Sequence, residues 1–237
     1  MTIYQNTDMH DEYDLTELDK KRFLEEQQRG MVTPQDPCLS QIAREIQTDN
    51  ITSAYVTGVV RRLREAANGQ RRTNQGTEKR RTLVGLAAPQ IGESCRVILI
   101  DTKITEARKS FGKMVCIINP VIVWRTREKA EGREGCFSAG PVWGLVRRPV
   151  AVKVSGYDPT GRKVQYILED FSARVACHEI DHLDGIRFPE RIASDKKRHW
   201  VHTEELPQYP DMMKRWPRLC SLVRWEQFKN PALSVSE

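Results

Sequence analysis

Two histidines four residues apart, with a glutamate directly after the first, stand in His178-Glu179-Ile180-Asp181-His182. On a helix such positions lie over one another, so both imidazoles can close on one cation while Glu179 turns toward a water beside it. Those are two ligands and an acid/base on one turn, the equipment of a hydrolytic centre. The three fixed letters arise by chance in roughly one chain in a hundred of this size, so a third ligand has to be sought. His199 and His202 lie downstream in a charged stretch with no Gly-x-x-His spacing. Upstream, Glu134-Gly135-Cys136-Phe137-Ser138 sets a cysteine beside a glycine that lets backbone approach closely. A Cys136 thiolate would complete a Cys-His-His set with one coordination position open, as a catalytic metal site requires. A third segment, Val84-Gly85-Leu86-Ala87-Ala88-Pro89-Gln90, joins small residues to an amide donor suited to a developing oxyanion. The alternative for this segment is a packed strand-to-turn with Gln90 facing solvent.

The elements that must position these residues are an α+β set. Asp170 to Asp184 has Phe171, Val175 and Leu183 at helical spacing, an Asp170 cap, and Gly185 where a left-handed C-terminus is wanted. A second amphipathic helix is expected over Asn50 to Ala67, with Ile51, Ala54, Tyr55, Val59, Leu63 and Ala66 inward and arginines outward. The runs 96–100, 115–119, 121–124, 150–157 and 163–168 are β-rich and separated by Gly, Pro and Asp, which predicts a mainly antiparallel sheet around the motif helix. The basic stretch from Asn68 to Arg81 reads as an exposed loop. Three parts follow: an acidic arm over 1–30, either a helix over 15–29 or mobile and outside the core; a catalytic domain over 31–192; and a basic, Trp-containing extension over 193–237.

Of 237 residues, 39% are hydrophobic and 30% charged, and the longest apolar runs, such as 115–124, fall short of a membrane span. No membrane association is expected. The acidic first thirty residues argue against a secretory signal or an Arg-rich transit peptide, which predicts a cytoplasmic protein. Six dispersed cysteines then read as thiols or metal ligands. The net charge of +6 is concentrated in the basic loop and the tail, where Lys196-Lys197-Arg198 with Lys214, Arg215, Arg218 and Arg224 suggests a contact with ribosomal RNA. A tail that packs its tryptophans on the domain is the alternative, and DNA is not an expected partner.

Taken together, and in this order, the three segments resemble peptide deformylase, whose family pattern is Gly-x-Gly-x-Ala-Ala-x-Gln, Glu-Gly-Cys-Leu-Ser and His-Glu-x-Asp-His. The resemblance covers about 32–192. It implies a metal-dependent hydrolase that removes the formyl group from the N-terminal formyl-methionine of new polypeptides and releases formate. It implies Cys136, His178 and His182 as metal ligands, Glu179 as acid/base, and Gln90 with the Phe137 amide as donors to the formyl oxygen. Val84, Gly85 and Gly135 would align the peptide, and Val175 would help line the methionine pocket. The family uses ferrous iron, which nickel or zinc can replace. The chain departs from the pattern at Leu83 for glycine, Phe137 for leucine and Cys177 for glutamine, and Trp143 falls where many members carry a peptide-receiving arginine. Those departures make a non-catalytic or substrate-altered metal-binding relative the alternative; a metallopeptidase would leave the other two segments unexplained.

Overall fold

Nearly unbroken apolar runs in 97–101 and 114–118 call for a sheet buried on both faces, and the computed structural model of the chain builds it. Residues 13–68, 70–73, 76–79, 83–105 and 114–234 are described. In chain order the elements are α1 (Glu17–Gln28), α2 (Ala54–Asn68), β1 (Gln70–Thr73), β2 (Gly76–Lys79), β3 (Gly85–Ala87), β4 (Val97–Asp101) and β5 (Met114–Arg125). They continue with β6 (Lys129–Gly135), β7 (Val142–Pro149), β8 (Ala151–Tyr157), β9 (Lys163–Glu169), α3 (Asp170–Leu183), β10 (Arg198–Trp200), α4 (Tyr209–Met212) and α5 (Leu222–Lys229). A five-stranded sheet runs β3-β4-β5-β8-β9, a three-stranded sheet runs β10-β7-β6, and every pairing is antiparallel. No described helix is long and apolar enough to cross a membrane.

Period-two alternation gives the five-stranded sheet two apolar faces. Leu86, Val97, Leu99, Cys116 and Ile118 meet Val56, Val59, Val60 and Leu63 of α2. Ala87, Ile98, Ile100 and Ile117 meet Ala173, Val175, Ala176 and Ile180 of α3 on the other side. At about 1.5–3 kcal/mol for each fully buried Val, Leu or Ile, this burial is what holds α3 against the sheet. The inward face of α2 is displaced from expectation: the helix starts at Ala54, Tyr55 is 55% exposed, and Val56 and Val60 are buried instead.

The start of α3 also differs. Asp170 is not the cap but takes a positive φ of 49°, while Glu169 N donates to Ser172 Oγ (3.1 Å) and Ser172 Oγ donates to Glu169 O (2.8 Å). The end is as expected, with Gly185 at φ 71°. The runs at 115–119 and 121–124 are one strand, β5, interrupted at Asn119, whose backbone is left-handed and whose side chain bonds both Ile46 N (2.9 Å) and Ile46 O (2.7 Å). The Asn68–Arg81 stretch, expected as a loop, contains the β1–β2 ribbon. β6 escapes a reading by alternation because Lys-Ala-Glu-Gly-Arg-Glu-Gly has no apolar period; its ladder to β7 makes it a strand.

Of the two expectations for the N-terminal segment, the helix forms: Thr16 caps it, accepting from Asp19 N (3.2 Å). It is anchored rather than outside the core, since Asp19 is 2% exposed and Phe23 packs on the α2 cluster. At the other end Trp200, Trp216 and Trp225 are buried, with Val142 and Val146 of β7 around two of them.

Candidate metal centre

Helix α3 carries His178 and His182 one turn apart, with ring centroids 5.0 Å from each other. The turn after β6 delivers Cys136, 42 residues earlier in the chain than His178, so that one donor atom from each of the three residues lies within 4.8 Å of the others. Cys136 Sγ stands 3.4 Å from His182 Nε2. The thiol and the imidazole pair therefore meet, as the expected ligand set requires. His199 and His202 are elsewhere: His199 Nε2 donates to Lys196 O (3.2 Å) and its Nδ1 accepts from Tyr209 (2.8 Å), while His202 Nδ1 donates to Asp19 (2.7 Å).

Behind the centre lies an ionic layer that the motifs do not announce. His178 Nδ1 donates to Glu134 Oε2 (2.9 Å), which fixes the ring and leaves Nε2 for a ligand. Arg148 donates twice to Glu134 (3.0 and 2.9 Å) and also reaches Asp181. Arg174, one helical turn before His178, donates to the other Glu134 oxygen (2.8 Å) and to the carbonyls of Val146 and Ala130 (2.9 Å each). Arg191 forks onto Asp181 (3.1 and 2.6 Å). Burial by itself would raise the Glu134 carboxyl, but its bond to His178 and the Arg148 charge hold it far below the carboxylate range. Burial would likewise lower His178; Cys136 and Glu134 outweigh it and hold its pKa well above the ordinary value, so the site favours positive charge. His182 is pushed well below by burial and by the neighbouring cations, and so stays neutral. Glu134 of the Glu-Gly-Cys motif and Asp181 of the His-Glu-x-Asp-His motif were the sequence signals for this layer.

Glu179 is 5% exposed, and burial pushes its carboxyl up to about 7. A Cβ on Gly85 would lie 2.4 Å from Glu179 Oε1 and 2.8 Å from Val175 Cγ1, so only glycine fits there. Gln90 does not face solvent: it is 4% exposed, its Oε1 accepts from Ala87 N (2.8 Å), and its Nε2 is thereby aimed at Ser138 Oγ (3.2 Å) and Cys136 Sγ (3.4 Å). Phe137 follows the thiol and is 8% exposed. Gly85 opens the edge strand β3 with Val84 just before it, and Gly135 ends the edge strand β6. The departures mostly turn away from the centre. Leu83 packs on the α2 cluster, and Cys177 is buried among the residues between α3 and the sheet. Trp143 covers Gly135, where a Cβ would come within 2.3 Å of the indole.

The chain is similar to known proteins. The family model for polypeptide deformylases matches residues 29–198. A peptide deformylase of Desulforudis audaxviator is 39% identical over 163 residues, covering 69% of this chain and 92% of the relative. That of Treponema pallidum is 32% identical over 190 residues, covering 80% and 96%. Among solved structures, a class I type b peptide deformylase from Acinetobacter baumannii bound to Met-Ala-Ser superposes with a TM-score of 0.58 at 29% identity, covering 68% of this chain and 96% of that one. With the match spanning most of the sequence and the thiol and two imidazoles brought together, the chain belongs to the polypeptide deformylase family.

Proposed function

We propose that this chain removes the formyl group from N-formylmethionyl polypeptides by the residues just described. Cys136, His178 and His182 would hold one divalent cation. The donors fit such an ion: His182 is neutral, its Nε2 stands 3.4 Å from the Cys136 thiol, and the buried Glu179 Oε2 has no hydrogen-bond partner. Ferrous iron is the ion expected for the family; a thiolate with two imidazoles suits nickel and zinc as well. When bound, the ion supplies the Lewis acidity that makes water a nucleophile near neutral pH.

The remaining work falls to the chain. Glu179 takes the proton of the attacking water and returns it to the departing amine, a role that its dry setting and elevated pKa suit. Gln90 Nε2 and the Phe137 amide donate to the formyl oxygen as it gains charge; the bond from Ala87 N to Gln90 Oε1 keeps the amide from swinging away. The peptide lies between the edge strands β3 and β6, which can offer it backbone hydrogen bonds, and Val175 borders the methionine side chain. The Acinetobacter relative is bound to Met-Ala-Ser, which supports a peptide as the ligand.

The observation that carries the reading is the convergence of Gln90 Nε2, Cys136 Sγ and His182 Nε2 at 3.4 Å spacings. The test is formate release from formyl-Met-Ala-Ser by anaerobically prepared, iron-loaded protein. Formate is expected, with no cleavage of unformylated Met-Ala-Ser. Metal-loaded protein that releases none overturns the reading in favour of a non-catalytic relative. Exposed Lys196, Lys214 and Arg215 support a further contact of the tail with ribosomal RNA, whereas Lys197, Arg198 and Arg218 are paired with Glu131, Asp195 and Glu205. Ribosome co-sedimentation at low salt should weaken when those three exposed cations are replaced.

A further inference from the structure

The family match leaves out α1 and everything after Arg198, the first residue of β10. These two extensions are joined to each other. Asp19 accepts from Thr203 N (2.8 Å), Thr203 Oγ1 (2.7 Å) and His202 Nδ1 (2.7 Å), and Thr16 Oγ1 donates to Glu204 (3.1 Å). Tyr13 donates to Leu219 O (3.2 Å), meets Trp200 edge-on at 5.7 Å and lies 3.8 Å from the Arg224 guanidinium. A buried carboxylate with this many donors marks a specific joint rather than a chance contact.

Both extensions then bear on one turn, 136–140, which carries the thiol ligand and the amide assigned to the formyl oxygen. From α1, Phe23 meets Phe137 edge-on at 5.5 Å. From α5, Phe228 fills the space over Gly140, where φ is 60° and a Cβ would lie 2.4 Å from its ring. Trp225, fully buried, lies 4.8 Å from the Arg187 guanidinium, and Arg187 donates to Ser138 O (3.0 Å) and Pro34 O (2.5 Å).

We propose that α1 and α5 form a two-sided brace on this turn, and that Phe23 is a positioning residue for deformylation, acting through Phe137. The claim rests on the reading of the Phe137 amide as an oxyanion donor. Such a donor must stay about 2.7–3.1 Å from the anion, and a displacement of about 1 Å can cost up to about a hundredfold in rate. Phe137 extends its ring into the α2 cluster, and Phe23 closes over that ring from outside, so the amide's position is set by a contact that the shared domain does not supply.

Full-length, iron-loaded Phe23→Ala, Phe23→Leu and Leu24→Ala are compared for kcat and KM on formyl-Met-Ala-Ser, for metal per chain and for Tm; Leu24 is on the same helix but 59% exposed. Phe23→Ala should lose about tenfold in kcat with KM and metal content unchanged, Phe23→Leu should recover most of it, and Leu24→Ala should match the parent. An unchanged kcat, or a loss that only tracks metal or folded fraction, overturns the brace. Should Phe23→Ala not fold, Phe228→Ala releases the turn from its other side and must show the same selective loss in kcat; an unaffected kcat there overturns it equally. A parent protein that releases no formate sinks the deformylase reading and the brace together, whereas an active parent with an unperturbed Phe23→Ala sinks the brace alone.

Discussion

The chain holds two close pairs of histidines, and they have opposite fates. His178 and His182 share a face of α3, aim at a thiol from another sheet, and are backed by a buried carboxylate held by two arginines. His199 and His202, three residues apart at β10, each spend their ring nitrogens on structural partners, one on Tyr209 and Lys196, the other on Asp19. Ring type and spacing are alike in the two pairs. The difference is the rigid helix that makes two rings converge, and the buried carboxylate that occupies His178 Nδ1 and leaves its Nε2 for a cation.

Breaking the first pair should have the largest effect. Cys136→Ala or His182→Ala should abolish stoichiometric metal and reduce formate release to background, as read by metal analysis and a formate assay. His199→Ala should keep its metal while losing thermal stability, because Tyr209 then loses its partner. If it lost metal as well, the contrast between the pairs would fail. Next comes Glu179→Gln, which should keep the metal and lose about 10²–10⁴-fold in kcat, the usual worth of a placed acid/base.

Smaller is the expected effect of Glu134→Gln, which leaves His178 with a weaker orienting partner, Arg174 without its buried counter-charge and Arg148 with Asp181 alone. Metal affinity should fall about 10–100-fold by chelator competition, and a lower Tm should accompany it.

The subtlest prediction concerns the second pair. Burial would raise Asp19, but the bonds from Thr203 and His202 prevail and hold it below the ordinary range. A carboxylate lowered on folding contributes stability that is present above its unfolded pKa, about 4, and is lost as pH falls through the folded value. The parent should therefore lose more Tm than Asp19→Asn between pH 6 and pH 3, and parallel slopes would show that the joint contributes no such term.

Much of this was legible before the fold was known. The period of α3 and its Gly185 end, the antiparallel sheet, and the three motifs with Cys136, His178, Glu179, His182 and Gln90 could all be read from residue type and order. What escaped has a common cause. β6 lacks an alternating pattern because it is a polar edge strand paired with β7, and the Asp170 cap failed because Ser172 offered the backbone a better hydrogen bond. Arg148, Arg174 and Arg191 resemble any surface arginine in a chain with 38 basic residues; only proximity to Glu134 and Asp181 makes them part of the site.

The sequence alone determined which atoms can bind a cation and which period brings two imidazoles to one face, because both follow from covalent chemistry and the 3.6-residue turn. The tertiary structure decided that a thiol 42 residues away joins them, that Gln90 turns inward, and that the two ends of the chain meet at Asp19 and close on one turn. Contacts between distant segments depend on sheet register and on which side chains find room in the core, and no local pattern encodes either.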